Sequence, residues 1–269
     1  MGIPVSARAV VTGASGGLGS AFCRELVRRG GSVIASDINL EAVTALATEL
    51  GPKVHPVRCD VTQAAEVEQL AGEAQRLLGG VDLVINNAGV AVGGHVGDIP
   101  LADWRWIVDI NLLGVVYGCH VFAPIFRRQR SGHILNVASA AGLISAPNLA
   151  PYNATKAGVV ALSEAMYGEL LSDNVGVSVL CPTFFQTNIG NAARIHGEPE
   201  TKSVVDHLMK SAKIQADDVA RIALDAAANG RLFILPHRDG RGLWLFKRLA
   251  PERFYRMIPK LMALRASRR

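Results

Sequence analysis

The sequence is poor in cysteine, in aromatic residues and in charge. Its 269 residues include four cysteines, 6% aromatic and 19% charged side chains. Cys23, Cys59, Cys119 and Cys181 lie far apart, with no CxxC pair and no histidine at zinc-finger spacing, which argues against a disulfide framework and a metal site. No uncharged apolar run reaches the roughly 18 residues of a membrane span, and no basic segment precedes the first apolar run. We therefore expect a cytoplasmic protein with reduced thiols and no bound metal.

Basic charge is concentrated at the C-terminus. The net charge is +5, yet residues 241–269 contain nine basic side chains and one acidic one, so the first 240 residues are mildly acidic. A nucleic-acid-binding protein would spread a basic field over its fold, so we expect no nucleic-acid partner. Apolar residues recur at helical spacing among these arginines. This predicts a basic amphipathic extension that contacts a membrane peripherally, or that covers a pocket or a neighbouring subunit.

Short apolar runs alternate with longer segments of helical periodicity. Strands separated by helices form βαβ units, which predicts a doubly wound α/β fold with a parallel sheet and helices on both faces. No repeat or linker divides the chain, so we expect one main domain over 1–240, with an insert at 184–215 and the extension at 241–269. The seven predicted strands are Arg8–Thr12, Ser32–Ser36, Lys53–Arg58, Asp82–Ile85, His133–Ala138, Val175–Cys181 and Leu232–Leu235.

A glycine-rich loop follows the first strand and opens a helix. Small residues allow a pyrophosphate to approach the backbone, and a helix N-terminus presents unpaired N–H groups and the positive end of its dipole. The loop therefore predicts a dinucleotide site, the alternative being a plain glycine-rich turn. The residues expected to contact the phosphates are Gly13, Ser15, Gly16, Gly17, Leu18 and Gly19.

An acidic residue ends the second predicted strand. Asp37 follows Gly19 by 18 residues, where a dinucleotide fold meets the adenosine ribose. Its carboxylate would accept hydrogen bonds from the 2′-hydroxyl group and repel a 2′-phosphate, so the expected cofactor is NAD rather than NADP. Capping of the helix that follows Asn39 is the alternative role for Asp37.

Three hydroxyl and amine side chains follow in a pattern that suggests proton transfer. Tyr152 and Lys156 are four residues apart on a predicted helix, so they share one face. A free tyrosine has a pKa of about 10, so a neighbouring ammonium and a positive nicotinamide ring must lower that pKa near neutral pH. Ser139 follows the fifth strand 13 positions before Tyr152, which allows the two hydroxyl groups to meet.

These motifs together resemble the short-chain dehydrogenase/reductase family over roughly residues 7–235. The resemblance rests on the G-x-x-x-G-x-G spacing, on Asn86-Asn87-Ala88-Gly89 after the fourth strand, on Asp60-Val61 after the third, and on the Y-x-x-x-K pair. One position departs from the family pattern, because Thr183 follows Pro182 where a glycine is usual. Since a β-branched residue disfavours positive φ, we expect a different loop path there.

The resemblance implies a Rossmann-type fold and a set of site roles. Ser139 would hydrogen-bond the substrate oxygen, Tyr152 would act as acid and base, Lys156 would bind the nicotinamide ribose and shift Tyr152, and Asn111 would hold a proton-relay water. It also implies a homodimer or homotetramer paired through helices near 101–130 and 152–172. The further cofactor-binding residues that it implies are Asp60, Val61, Asn87, Ala88, Gly89, Tyr152, Lys156, Pro182 and Thr187.

The expected pocket walls are mostly apolar. In the family they come from the segment after the serine, here 140–144, and from the insert, here with Phe184, Phe185, Ile189 and Ile195. A sugar or a small hydroxy acid would need several fixed polar groups, so we expect a hydrophobic secondary alcohol or its ketone as substrate. The predicted function is NAD(H)-dependent interconversion of the two. The alternatives are an NADPH-dependent biosynthetic ketoreductase and a catalytically idle dinucleotide-sensing or membrane-associated interaction protein.

Overall fold

The computed structural model describes residues 2–185, 193–196 and 212–257. Their strands and helices alternate along the chain as the periodicity predicts. The strands are β1 (Arg8–Thr12), β2 (Ser32–Asp37), β3 (Val54–Arg58), β4 (Leu83–Asn86), β5 (Val92–Gly93), β6 (His133–Val137), β7 (Gly176–Leu180), β8 (Arg194–Ile195) and β9 (Phe233–Ile234). The helices are α1 (Gly17–Arg28), α2 (Leu40–Leu50), α3 (Ala64–Leu78), α4 (Leu101–Val108), α5 (Gly114–Gln129), α6 (Ala140–Ile144), α7 (Ala150–Leu170), α8 (Ala216–Ala228) and α9 (Arg238–Leu249).

Seven strands form one parallel sheet in the order β3-β2-β1-β4-β6-β7-β9. The predicted α/β fold, a doubly wound Rossmann-type sheet, is thus confirmed. Strand order reverses between β1 and β4, which creates a crevice at the carboxyl ends of these strands, where such folds bind their ligands. The short strands β5 and β8 pair separately and were not predicted, because two-residue strands leave no periodicity to detect.

The sheet is covered on both faces. One apolar cluster lies under α1, α2 and α8, and a second lies under α3, α5 and α7. The central strands are buried on both sides, which explains their continuous apolar runs. The largest fully buried side chains include Phe22 and Leu26 from α1, Leu70 from α3, and Phe122 and Phe126 from α5.

One helical run is unusually long and apolar. Residues Leu101–Gln129 comprise α4, a single π-helical turn at Asp109–Leu113, and α5. By length and composition alone this run could cross a membrane, but the same test is passed by core helices of soluble proteins. Here α5 packs against α3 and against the sheet strands β4 and β6, as a core helix does.

The C-terminal segment packs on the main domain. Helix α9 begins at Arg238, shortly before the predicted boundary at 240, and residues 251–257 are again helical. Lys247 Nζ donates to the carbonyl of Leu143 at 2.6 Å, and the Tyr255 hydroxyl donates to the carbonyl of Ile144 at 2.7 Å. Both acceptors belong to α6, so the extension lies against the segment that follows Ser139.

Candidate functional site

The glycine-rich loop connects β1 to α1 at the crevice. Gly13 has a φ of +63°, and a Cβ on Gly19 would overlap the Gly13 carbonyl oxygen, so both positions require glycine. Gly16 is the N-cap of α1 and offers no side-chain cap. The first-turn N–H groups of Gly17, Leu18 and Gly19 have no acceptor within the helix, since the first intrahelical bond comes from Ser20 to Gly16. This open, small-residue helix terminus fits a pyrophosphate.

Asn87 and Ala88 hold the phosphate loop from the neighbouring strand. Asn87 Nδ2 donates to the carbonyls of Thr12 and Gly13 at 2.9 and 3.0 Å. The backbone amides of Asn87 and Ala88 both donate to Thr12 Oγ1. The structure therefore gives these two predicted cofactor-binding residues a definite positioning role, in which β4 fixes the loop after β1.

Asp37 is held by the loop on which the phosphates would lie. Its Oδ2 accepts hydrogen bonds from Ser15 Oγ at 2.7 Å and from the Ser15 amide at 3.1 Å, while Oδ1 accepts from the Asn39 amide at 3.1 Å. The N-cap of α2 is Asn39, whose side chain accepts from Ala42, so Asp37 is not the cap. Its carboxylate is fixed at the end of β2, as ribose recognition requires.

Asp60 and Val61 lie beside this corner. The amide of Cys59 donates to the Asp37 carbonyl at 3.0 Å, which ties their loop to the end of β2. Asp60 Oδ1 accepts from the amide and the hydroxyl of Thr62, which orients the carboxylate. A Cβ on Gly114 would lie 3.0 Å from a Val61 methyl group, so Val61 packs closely on the start of α5.

Ser139, Tyr152 and Lys156 come together at the ends of β6 and α7. Ser139 is the N-cap of α6, and its Oγ accepts from the Ala141 amide at 3.1 Å. The Ser139 side chain also lies near the Tyr152 side chain and acts to lower the pKa of its hydroxyl group. Lys156 Nζ lies 5.8 Å from the centroid of the Tyr152 ring and donates to the Val137 carbonyl at 2.9 Å. The three predicted side chains thus form one cluster.

Burial dominates the electrostatics of this cluster. It raises the pKa of Tyr152, and the nearby Ser139 side chain offsets this only in part. Burial also lowers the pKa of Lys156 to about 8. In the chain by itself, desolvation of the phenolate outweighs the neighbouring groups. The expected lowering of the tyrosine pKa by the ammonium and a positive nicotinamide ring together concerns the cofactor-bound site and stays a prediction.

Asn111 lies in the π-helical turn and is completely buried. Its Oδ1 accepts from the Val90 amide at 2.8 Å, and its Nδ2 donates to the Val90 carbonyl at 2.9 Å. A Cβ on Gly89 would lie 3.2 Å from Asn111 Oδ1 and 3.4 Å from Lys156 Nζ, so these three residues adjoin. Because Val90 engages both ends of the side-chain amide, the structure assigns Asn111 to positioning the Gly89–Val90 backbone beside Lys156. The water-holding role stays a prediction.

The loop after β7 connects the site with the extension. Pro182 accepts a hydrogen bond from the Ala140 amide at 2.8 Å. Thr183 has no positive φ, donates its amide to His237 Nδ1 at 3.3 Å, and places Cγ2 2.7 Å from where a Cβ on Gly240 would lie. The unusual threonine thus packs on the start of α9. Thr187 and Ile189 lie outside the described residues.

The apolar wall residues divide by burial. Leu143 is buried, and Phe185 is buried with its ring stacked on His237 at 6.3 Å. Phe184 and Ile195 are 38% and 39% exposed. Exposed apolar side chains of this kind are compatible with a surface that receives a hydrophobic ligand.

An ionic cluster joins the insert to α4, and the sequence analysis missed it. Asp103 accepts hydrogen bonds from Arg194 and His196, both at 2.6 Å, and the Arg194 guanidinium lies 3.7 Å from the centroid of the Trp106 ring. These hydrogen bonds lower the pKa of Asp103. Strands β5 and β8 run beside this cluster. No periodic signal links residues some 90 positions apart, so only the fold reveals it.

A buried amide network also escaped the sequence analysis. Asn86 Nδ2 donates to Asn136 Oδ1 at 2.8 Å, and Asn136 Nδ2 donates to Ser163 Oγ at 3.0 Å. All three residues are buried. The network joins β4, β6 and α7, and so fixes the helix that carries Tyr152 and Lys156 to the strands beside the crevice. The sequence feature that could have indicated this network is an asparagine near the end of each of two apolar strands.

Comparisons with known proteins agree with this arrangement. The family model described as short chain dehydrogenase matches residues 7–197. A dehydrogenase/reductase of CLA biosynthesis from Lactiplantibacillus plantarum is 31% identical over 251 residues, which are 91% of this chain and 85% of the relative.

Solved structures show the same similarity. A short-chain dehydrogenase/reductase from Burkholderia phymatum in complex with NAD is 35% identical, with a TM-score of 0.85 over 91% of this chain and 93% of that one. A 3-ketoacyl-(acyl-carrier-protein) reductase from Brucella melitensis complexed with NADH is 26% identical, with a TM-score of 0.75 over 86% and 97% of the two chains. The chain belongs to the short-chain dehydrogenase/reductase family of oxidoreductases.

Proposed function

We propose that the protein interconverts a hydrophobic secondary alcohol and its ketone with NAD(H). The observation that carries this proposal is the cluster of Ser139, Tyr152 and Lys156 at the carboxyl edge of the sheet, beside a helix terminus that fits a pyrophosphate. The similar Burkholderia phymatum structure was solved with NAD.

The residues of the crevice fit a dinucleotide. The first-turn amides of α1 would bind its phosphates, and the Asp37 carboxylate would accept from the adenosine ribose and repel a 2′-phosphate. Lys156 would reach the hydroxyl groups of the nicotinamide ribose. When bound, the nicotinamide ring supplies hydride exchange with the alcohol carbon.

The protein's own groups handle the proton. In the oxidation, Ser139 would donate a hydrogen bond to the substrate oxygen while the ionised Tyr152 takes the hydroxyl proton as the C–H hydride leaves. In the reduction, Tyr152 would return that proton to the oxygen. Burial raises the pKa of Tyr152, and the protonated phenol is the form that donates during ketone reduction.

The substrate class follows from the walls. The segment 140–144 and the partly exposed Phe184 and Ile195 offer mostly carbon to a ligand. Such a surface favours an aromatic, alicyclic, steroid-like or long-chain compound over a sugar.

The direct test measures NADH formation from NAD by absorbance. The substrates are a panel of secondary alcohols graded from small to bulky and apolar. We expect turnover with the bulkier members and a loss of at least about 1000-fold in Tyr152→Phe, which removes the proton acceptor but keeps the ring. Tyr167→Phe is the matched control, because it removes a hydroxyl from the same helix away from the cluster. Equal activity of Tyr152→Phe and the parent would refute the proposed mechanism.

Two alternatives give different results in this assay. A biosynthetic ketoreductase would reduce ketones with NADPH more efficiently than with NADH, contrary to the expected effect of Asp37. A dinucleotide-sensing protein would bind NADH without turnover of any substrate. We further propose that the protein acts in the cytoplasm as a homodimer or homotetramer paired through helices near 101–130 and 152–172.

A further inference from the structure

The C-terminal helices expose several large apolar side chains. Leu245 and Leu249 lie one turn apart on α9 and are 58% and 76% exposed, and Met257 on the following helical segment is 45% exposed. We call the outward side of residues 241–257 the tail face. Exposed apolar residues so close together on a short segment indicate a contact surface rather than ordinary surface composition.

Positive charge surrounds these apolar residues. Arg241, Arg248, Arg253 and Arg256 are all exposed, and Glu252 is the single acidic residue of 241–257. Within the part of the chain that the structure describes, none of these arginines forms an ion pair with a carboxylate. The guanidinium of Arg248 lies 5.3 Å from the centroid of the Trp244 ring. The charge of the tail face is therefore available to an anionic partner.

The tail face is held rigidly to the domain. Phe254 is 1% exposed and packs edge-on against Phe246 and Tyr255, with ring centroids 5.6 and 5.3 Å apart. Lys247 and Tyr255 bond to carbonyls of α6, as described above. These contacts engage the inner side of both helical segments, whereas Leu245, Leu249 and Met257 remain exposed to solvent.

We propose that the tail face docks on the surface of an anionic lipid bilayer. Leucine and methionine side chains would enter the boundary between headgroups and acyl chains, while the arginines bind lipid phosphates. Charge argues against a second copy as the occupant, because a two-fold contact would place one arginine-rich tail face on another. The downstream sequence 258–269 adds further basic residues at 260, 265, 268 and 269.

Docking would bring the bilayer to the rim of the proposed substrate site. The tail face lies on the outer side of segments that contact α6, whose N-cap is Ser139. A hydrophobic alcohol or ketone dissolved in the membrane would then have a short route to the site. This consequence rests on the proposed function, whereas docking itself does not.

The test is co-sedimentation of the full chain with vesicles at low and high salt. One vesicle is phosphatidylcholine alone, and in the other a quarter of the lipid is phosphatidylglycerol. The test variant is Leu245→Asp/Leu249→Asp. The control is Val5→Asp/Ser6→Asp, which adds the same charge at exposed positions before β1, at the opposite edge of the sheet. Deletion of the tail is unsuitable, because it would remove the buried Phe254.

We expect the parent and the control to sediment with the anionic vesicles but not with phosphatidylcholine, and binding to weaken with salt. The test variant should bind roughly tenfold more weakly than the control. Absence of parent binding to anionic vesicles overturns the proposal, as does equal binding by the two variants. If the parent did not bind vesicles but the test variant differed from it in sedimenting mass, the tail face would instead be assigned to a protein contact. The readout needs neither NAD nor turnover, so it stands apart from the enzymatic assay.

Discussion

Asp37 would discriminate between the two dinucleotides only if its carboxylate is held in place, and Ser15 provides that restraint. The 2.7 Å bond from the Ser15 hydroxyl links the phosphate loop to the residue that would bind the ribose. A short O–H to carboxylate bond is among the stronger hydrogen bonds in proteins. Cofactor selectivity is therefore expected to depend on a pair of residues rather than on the acid alone.

Replacing Ser15 with alanine should weaken NAD binding without impairing chemistry. Loss of one charge-assisted bond, with the Ser15 amide retained, is worth about 1 kcal/mol, so we expect KM for NAD to rise roughly fivefold at unchanged kcat. Asp37→Ala should reduce the preference for NAD over NADP by about tenfold or more. Steady-state kinetics with both dinucleotides measure these changes.

Ser32→Ala is the matched control, since it removes a hydroxyl from the opposite end of β2. An unchanged NAD preference in Asp37→Ala would show that the carboxylate does not select the cofactor. If Ser15→Ala lowered kcat as well as raising KM, the hydroxyl would act in more than the positioning of Asp37.

Lys156 makes stability depend on pH in a defined direction. Burial lowers its pKa to about 8, so between pH 8 and the ordinary lysine pKa the unfolded chain binds more protons than the folded one. The free energy of unfolding then rises with pH across this window. Below the window, the folded state carries the full unfavourable free energy of burying the charged ammonium.

Substitution by methionine should remove this dependence. Relative to Lys156→Met, the parent should gain about 2 kcal/mol of unfolding free energy between about pH 7.5 and 10. Urea unfolding at the two pH values measures the difference, and Lys53→Met, which changes an exposed lysine, should follow the parent. If the difference in unfolding free energy between the parent and Lys156→Met were the same at both pH values, the folded and unfolded states would bind the Lys156 proton equally.

Motif residues were predictable from the sequence because each lies within one loop or helix. The Tyr152–Lys156 spacing and the glycines at 13, 16 and 19 are local patterns with local causes. The Ser15–Asp37 bond and the raised tyrosine pKa depend instead on strand register and on burial. Neither quantity can be read from spacing.

At the scale of elements, the Asp103 cluster fixes the described part of the insert to the domain. Arg194 is the first residue of β8 and His196 directly follows that strand, and both bond to a carboxylate on α4. The paired strands β5 and β8 are only two residues long, so they are weak without such support. Since Ile195 lies between the two bonded residues, the cluster sets the position of a proposed wall residue.

Asp103→Asn should therefore raise KM for a bulky apolar alcohol several-fold while leaving KM for NAD unchanged. The neutral amide keeps the size of the side chain but loses the ionic attraction to Arg194 and, when protonated, to His196. Initial-rate measurements that vary each substrate in turn separate the two constants. Asp98→Asn serves as control because Asp98 is exposed in the preceding loop. Equal effects on both KM values would indicate a general loss of structure instead.

The helix and strand pattern was predictable because the central strands of the main sheet are buried on both faces and read as apolar runs. The pairing of β5 with β8 was not, because it depends on residues brought together over about 100 positions by the fold. The packing of α9 on α6 is a similar case. Thr183 was visible in the sequence only as a departure from the family pattern, and in the structure it packs on the start of α9 at Gly240.

At the scale of the whole molecule, the run Leu101–Gln129 is more apolar than a single copy of the chain requires. Within its most apolar stretch of 18 residues, 39% of the residues are buried within the chain. Leu113, Val116 and Tyr117 are only half-buried, although they lie on helices that cover the core. An apolar helix face left in this condition favours burial against another copy, which is the geometry of the proposed homo-oligomer.

Light scattering coupled to size exclusion should therefore give a mass of two or four times the 28.6 kDa of one chain. Val116→Asp places a charge in the proposed interface, where its desolvation is unfavourable, so we expect the mass to fall toward that of one chain at micromolar concentration. Val5→Asp introduces the same charge away from this face and should leave the mass unchanged. Circular dichroism distinguishes dissociation from unfolding. A parent protein that elutes with the mass of a single chain would exclude pairing through this helix, and the apolar face would then require a different partner.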